Sequence, residues 1–285
     1  MEELSSIGVV GAGTMGRGIA QVFAQRNYRV LLCDAVPSQL ERALSTIKRN
    51  LNRDLEKDRI DAAERDRVLA NIRTQASLEA LKDSALVIEA VSEVFGVKQH
   101  VFAELDRLCE QTTILATNTS SISVTQLAGT TKRPDRLIGM HFMNPVPVMK
   151  LVEIIRGLQT SEETFLATRS FVEKLDKVPV VVNDSPGFVS NRVLMPMINE
   201  AIFCVYENVA TPEAVDAVMK LGMNHPMGPL TLADLIGLDV CLNIMETLYA
   251  DFSDPKYRPC PLLRKMVAAG HLGRKSSQGF YRYSP

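Results

Sequence analysis

The sequence predicts an α/β fold: a mostly parallel sheet with a helical hairpin insertion, followed by an all-α C-terminal domain. Three observations carry this. Short runs rich in Val, Ile and Leu alternate with longer amphipathic runs from residue 7 to residue 183. Several of the short runs are apolar at every position, as strands covered on both faces are. The alternation stops at "NDSPGF", 183–188, and helical periodicity takes over.

The first strand is "IGVVGAG", followed by a helix over 14–26 and the strand "YRVLLCD". Helices are predicted at 37–57 and 62–71. The charged stretch 48–67 contains no strand, so these two helices form a hairpin projecting from the sheet. The strands "ALVIEAV", "TTILATN", "RLIGMHF", "KLVEII" and "VPVVVN" follow, with helices at 97–109 and 162–175 between them. Beyond a boundary at 183–187, helices are predicted near 188–207, 211–221, 229–236, 238–251 and 260–269. Thr211-Pro212 supplies an N-cap and a first-turn proline. Strand-like alternation returns only in the final "GFYRYS". The expected domains are 1–183 and 184–285.

The chain has 285 residues, 46% hydrophobic and 23% charged, with net charge −1. That length suits one large domain or two modest ones. The balanced charge argues against a nucleic-acid partner, which selects a basic excess. Cys33, Cys109, Cys204, Cys241 and Cys260 are scattered without a C-x-x-C pair, so neither a disulfide framework nor a zinc cage is expected. The four histidines are far apart and no metal is expected. "MEELSS" lacks a signal-peptide pattern and no apolar run reaches membrane-spanning length. The expectation is a reducing, cytoplasmic setting and no membrane partner.

Gly11, Gly13 and Gly16 stand in G-x-G-x-x-G spacing. The spacing alone is weak. Here it follows a strand, opens a helix and precedes Asp34 at the end of the next strand, which is the context of a dinucleotide turn. Gly11 permits the tight turn, Gly13 a close approach of pyrophosphate, and Gly16 close helix–strand packing. The turn Gly11, Ala12, Gly13, Thr14, Met15 and Gly16 therefore forms the candidate cofactor cradle, at a helix N-terminus with free N–H groups. Asp34 can accept hydrogen bonds from ribose hydroxyls and would repel a 2′-phosphate. No Arg or Lys lies in the following "AVPS", so NAD is favoured over NADP.

A nicotinamide enzyme needs a proton carrier beside the hydride path. His141 ends a strand and precedes the loop "NPVPV", and strand ends border the ligand crevice of such sheets. After the turn, "MKLVEII" returns as a strand and can bring Glu153 beside His141. A carboxylate accepting the imidazole N–H fixes its tautomer and stabilises its charged form. Without such a partner, Glu153 would be an expensive charge in an apolar strand.

Over nearly its whole length the chain resembles the L-3-hydroxyacyl-CoA dehydrogenase family, and is most similar to its free-standing bacterial 3-hydroxybutyryl-CoA members. The motifs are "GVVGAGTMGRGIA", "ATNTSSISVTQLA", "GMHFMNPVPVMKLVEII", "DSPGFVSNRVLMPMINEA", "GMNHPMGPLTLADLIGLD" and "GRKSSQGFYRY". The resemblance implies a Rossmann-type NAD domain, a helical dimerisation domain, an acyl-CoA substrate and a homodimer. It places the catalytic His and its partner on His141 and Glu153, a substrate contact on Ser120 and a positioning Asn on Asn191. Implied cofactor contacts are Ser120, Asn144, Glu93, Lys98 and Lys275. "VSEVFGVK" departs from the family's "VENLKVK" at Ser92 and Phe95-Gly96, which loosens the expected loop shape. Implied coenzyme A contacts fall on Asn50 and Lys57. With Arg53 these stand at i, i+3 and i+7 on one helix face, although Asp54, Glu56 and Asp58 are interleaved, as on a solvated face.

Singly, each position has a bland reading. Ser120 and Asn118 suit turns and caps, Asn191 an ordinary helix position, and Glu93 and Lys98 a solvated pair. Three whole-chain alternatives stand beside the family reading. They are a sugar-acid (L-gulonate-type) dehydrogenase, a 3-hydroxyisobutyrate-type enzyme, and a non-catalytic binding or structural homologue. The second would need a lysine where this chain has His141.

Overall fold

The computed structural model describes residues 6–284. The targeting reading of residues 1–5 lies outside them. The chain divides into two compact units between Asp184 and Ser185.

The first unit is built on eight strands: β1 (Ser6–Val10), β2 (Arg29–Cys33), β3 (Ile72–Gln75), β4 (Leu86–Glu89), β5 (Ile114–Thr117), β6 (Leu137–Phe142), β7 (Leu151–Arg156) and β8 (Val178–Asn183). Their order is β3-β2-β1-β4-β5-β6-β7-β8. All neighbours run parallel except β6 and β7. The carboxyl ends of β1, β4, β5 and β6 therefore share one edge of the sheet, and β7 starts from it. The six helices are α1 (Thr14–Gln25), α2 (Pro37–Glu56), α3 (Ala62–Ala70), α4 (Phe95–Leu108), α5 (Val124–Ala128) and α6 (Glu162–Lys174). Ile7, Val9, Ile19, Phe23, Leu32, Ile88 and Ile154 are fully buried in a core shared by sheet and helices.

Four local departures from expectation have plain causes. β3 has no sequence signature, because "IRTQ" buries only Ile72 at the sheet edge and lacks an apolar run. The short α5 was also missed; at five residues it is too brief to show a period. β8 is not covered on both faces, since it is the other edge strand, with Val178, Val180 and Val181 exposed. The α2–α3 hairpin does not simply project. Leu40, Ala43, Ile47, Leu51 and Val68 bury one side of it in the main core, and the polar tip lies beyond.

The second unit is helical: α7 (Ser190–Tyr206), α8 (Pro212–Gly222), α9 (Pro229–Ile236), α10 (Leu238–Phe252) and α11 (Pro261–Ala268). Thr211 caps α8 by accepting from the Ala214 N–H. Ile198, Ile202, Leu230, Leu238, Leu248 and Leu263 form a separate core. The expected strand in "GFYRYS" is absent. That segment makes one isolated bridge, Arg282 to Gln278, and Gln278 in turn bridges to Gly273. Side chains hold it instead. Buried Asp234 accepts from the Phe280 and Tyr281 N–H groups and the Tyr283 hydroxyl, and buried Asp216 accepts from the Tyr281 hydroxyl.

Candidate active site

The glycine turn leaves β1 on the shared edge. Gly11 has φ of +99°, and a Cβ there would lie 2.6 Å from the Ala90 carbonyl oxygen. A Cβ on Gly16 would lie 1.7 Å from the Gly11 oxygen, so α1 packs against the turn only with glycine at that position. Gly13 and Thr14 are exposed, and space around Gly13 is open to 4 Å. Asp34 lies at the end of β2, with Oδ2 accepting from the Ala12 N–H at 2.8 Å and Oδ1 from the Val36 N–H at 2.9 Å. The exposed helix start, open glycine and oriented carboxylate fit a dinucleotide phosphate and ribose.

Antiparallel pairing of β6 and β7 sets His141 directly opposite Glu153. Nδ1 of the imidazole is 2.8 Å from Glu153 Oε2, and both side chains are buried. The loop after β6 carries exposed Asn144. Lys177 braces that loop, donating to the carbonyls of Val146 at 2.7 Å and Met149 at 2.6 Å.

The loop after β5 carries Ser120 and is held almost entirely by side chains. Glu93 Oε1 accepts from the Ser120 N–H at 2.8 Å, the Ser121 N–H at 3.1 Å and the Thr119 hydroxyl at 2.5 Å. Behind Glu93 lies Lys98, 1% exposed, paired with Glu93 at 3.1 Å and with fully buried Glu89 at 2.7 Å. Glu89 also accepts from the Val91 N–H and the Thr117 hydroxyl. Burial raises Glu89 above the usual carboxylate range, against the pull of Lys98 and its hydrogen bonds. Burial also pushes Glu93 upward, but Lys98, Thr119 and Ser120 together outweigh it and hold that carboxyl below the usual range. At the far side of the loop, Asp184 accepts from the Ser123 hydroxyl and the Thr125 N–H, both at 2.7 Å. Asn118 accepts from the Phe142 N–H at 3.0 Å, tying this loop to the strand of His141.

Several expected residues are placed differently from a simple surface reading. Glu93 and Lys98 are no solvated pair, and Lys98 stands behind Glu93. Asn50 does not join Arg53 and Lys57 on an open face; its amide donates to Gln21 of α1 at 3.2 Å. Arg53 and Lys57 are exposed. In the second unit, Asn191 is buried in the first turn of α7, and Lys275 pairs with Asp239 at 2.5 Å. The sequence reading did not single out Glu89, Thr117, Thr119 or Asp184 as site-supporting residues, because they carry no spacing motif. A glutamate closing the otherwise apolar "LVIE" was the available signal.

A dinucleotide turn and a buried imidazole–carboxylate pair on one sheet edge define a nicotinamide-dependent dehydrogenase. Residues 6–185 match the family model for the NAD binding domain of 3-hydroxyacyl-CoA dehydrogenase, and residues 187–283 match its C-terminal domain. The chain is 57% identical to a probable 3-hydroxybutyryl-CoA dehydrogenase of Bacillus subtilis, over 99% of this chain and 98% of that one. It is 50% identical to a 3-hydroxybutyryl-CoA dehydrogenase of Bradyrhizobium diazoefficiens, covering 98% and 96%. Among solved structures, the (S)-3-hydroxybutyryl-CoA dehydrogenase of Ralstonia eutropha matches with a TM-score of 0.96 at 49% identity, covering 99% and 100%. The chain belongs to the 3-hydroxyacyl-CoA dehydrogenase family, and NAD is its cofactor.

Proposed function

We propose that the chain catalyses reversible oxidation of short-chain (S)-3-hydroxyacyl-CoA to 3-ketoacyl-CoA, with 3-hydroxybutyryl-CoA and acetoacetyl-CoA as the preferred pair. The observation carrying this is the 2.8 Å His141–Glu153 contact on the edge that bears the glycine turn. The names of the relatives support the chain length.

Bound NAD supplies the hydride acceptor for C3. His141 takes the 3-hydroxyl proton through the ring nitrogen not engaged by Glu153. In the reverse direction the imidazolium returns it. Glu153 holds the tautomer and stabilises the charged ring in both directions. Ser120 orients the substrate oxygen. Positioned acid–base catalysis of this kind contributes roughly 10²- to 10⁴-fold. On this reading the turn 11–16, Asp34, Glu93, Asn144 and Lys275 serve the cofactor, with Lys98 acting through Glu93. Asn191, Arg53 and Lys57 serve the acyl-CoA, with Asn50 in a supporting role. The first unit is the NAD domain and the second the substrate and dimerisation domain of a cytoplasmic homodimer in fatty acid or butanoate metabolism. Among the described residues no helix is long and apolar enough to cross a membrane.

The test is steady-state oxidation of NADH or NADPH with acetoacetyl-CoA and with longer 3-ketoacyl-CoAs. The expected result is highest kcat/KM for acetoacetyl-CoA with NADH. Faster turnover of a sugar acid such as L-gulonate with NAD would overturn the reading.

A further inference from the structure

The Ser120 loop has an unusual economy of backbone bonds. The Asn118 N–H still donates to a strand carbonyl, that of Glu89. After it, four successive N–H groups go to side-chain oxygens. Thr119 donates to Thr117 Oγ1, Ser120 and Ser121 to Glu93 Oε1, and Ile122 to Thr119 Oγ1. No ladder or helix sets the path of this segment, so those oxygens do. Glu93 itself sits on an exposed loop between β4 and α4 and needs its own anchor.

That anchor is a chain of charges running inward. Lys98, in the first turn of α4, lies between Glu93 and Glu89. Glu89 ends β4, its backbone fixed between β1 and β5. One of its oxygens takes Lys98 and the Val91 N–H; the other takes the Thr117 hydroxyl, which itself accepts from the Thr119 N–H. Glu89 thus reaches the Ser120 loop by two routes, through Lys98 and Glu93 and through Thr117. A buried carboxylate that served folding alone would be costly beside an apolar isostere. We propose that Glu89 is a positioning residue for the reaction: through Lys98, Glu93 and Thr117 it sets where the Ser120 hydroxyl stands. This rests on Ser120 contacting the substrate oxygen.

Two readouts test it. The first is a double-mutant cycle of Glu89→Gln with Ser120→Ala, read as kcat and KM on acetoacetyl-CoA and NADH. Glu89→Gln keeps the shape and removes the charge. It is expected to lower kcat by about 10- to 100-fold, as small misplacements of reacting groups do, with KM for NADH little changed. In the Ser120→Ala background the same substitution should cost less than about threefold, because the two losses share one cause. Equal losses in both backgrounds would overturn the proposal. The second readout is amide hydrogen exchange over residues 118–123 of the chain without cofactor. Glu89→Gln should speed exchange there at least about tenfold relative to β5. Unchanged protection overturns the proposal whether or not turnover is found, whereas an inactive wild type with faster exchange in the variant faults only the assigned activity. If Glu89→Gln shows no cooperative thermal transition, Glu93→Gln, whose side chain is 30% exposed, enters both experiments with the same expected and overturning results for kcat and for exchange, and its KM for NADH is expected to rise because Glu93 also serves the cofactor.

Discussion

His141 and Glu153 face each other across the single antiparallel step found among the described strands, Nδ1 to Oε2 at 2.8 Å. A parallel neighbour would need a long crossover to return; here a short loop brings the carboxylate back directly opposite the imidazole. Both side chains are buried, so neither is supported by bulk water. The pair should therefore act as a unit. His141→Gln is expected to lower kcat by at least about 10²-fold with little change in NADH affinity. Glu153→Gln should lose nearly as much, and the double variant much less than the product. Losses that multiply independently in a steady-state cycle would refute the coupling.

Cofactor choice is expected to follow Asp34. Its two oxygens are already oriented by the Ala12 and Val36 N–H groups, so its charge is held beside the glycine turn. Asp34→Ser with Ala35→Arg removes a repulsion and adds a phosphate partner. The NADPH-to-NADH ratio of kcat/KM should rise at least about tenfold, in line with one charged hydrogen bond. NADH affinity should fall as well, because the Ala12 N–H loses its acceptor. A wild type already faster with NADPH would contradict the assignment.

The parts of this architecture that were legible in the sequence are those with a local signature. Seven strands announced themselves by apolar runs, and the glycine turn by spacing and context. The nearness of His141 and Glu153 could be argued because one short loop joins their strands. β3 could not be read, since an edge strand with one buried side chain has no hydrophobic run. The support of Ser120 was invisible for a different reason. Glu89, Glu93, Thr117 and Thr119 come from two loops and two strand ends, and only the sheet order brings them together. Spacing puts Asn50 on one helix face with Arg53 and Lys57, and the family resemblance implies a coenzyme A contact there. Spacing does not reveal that Gln21 of another helix takes its amide.

Lys98 neutralises two carboxylates, one of them fully buried, and its loss should be felt in stability. Lys98→Met leaves Glu89 without its cation, at a cost of about 3–5 kcal/mol near neutral pH. The pH dependence follows from Glu89, whose folded pKa is already raised by burial. An acid with a raised folded pKa favours the fold below its unfolded pKa, about 4.3, and loses that contribution as pH rises through the folded value. Removing Lys98 moves that upper limit higher. The deficit of Lys98→Met in urea unfolding should therefore shrink as pH falls from 7.5 to about 5. A deficit that is constant or grows toward acid would contradict the account.

Dimer formation is expected through the second unit. An apolar groove of about 430 Å³ there is lined by Met197, Ala201, Cys204, Val209, Val218 and Met219. Val209 is 70% exposed and Val218 61%, a costly arrangement unless another surface covers them. Val218→Asp should convert a dimer to a folded monomer in sedimentation equilibrium. A wild type that is monomeric at micromolar concentration would count against the second unit as a dimerisation domain.

The polar tip of the α2–α3 hairpin carries a basic stripe. Arg49, Arg53 and Lys57 follow one another at helical spacing, and all three are exposed. Lys48, Arg49 and Arg53 also line a groove of about 390 Å³, whose wall includes Glu56. The apolar side of the hairpin is anchored in the core by Leu40, Ala43, Ile47 and Leu51, so the basic groups stand on a fixed support. Such a stripe suits the adenosine phosphates of coenzyme A. Asn50, held by Gln21, serves there mainly to fix α2 against α1. Phosphate contacts act far from the reacting carbon and provide uniform binding, which alters KM and leaves kcat. Lys57→Glu with Arg53→Glu should raise KM for acetoacetyl-CoA by about tenfold, roughly one exposed charge contact for each residue. The effect should shrink at high salt, where exposed charges are screened. Acetoacetyl-pantetheine, which lacks these phosphates, should be indifferent to both substitutions. Equal damage to the two substrates would place the fault in the fold, and the assignment of this face to coenzyme A would fail.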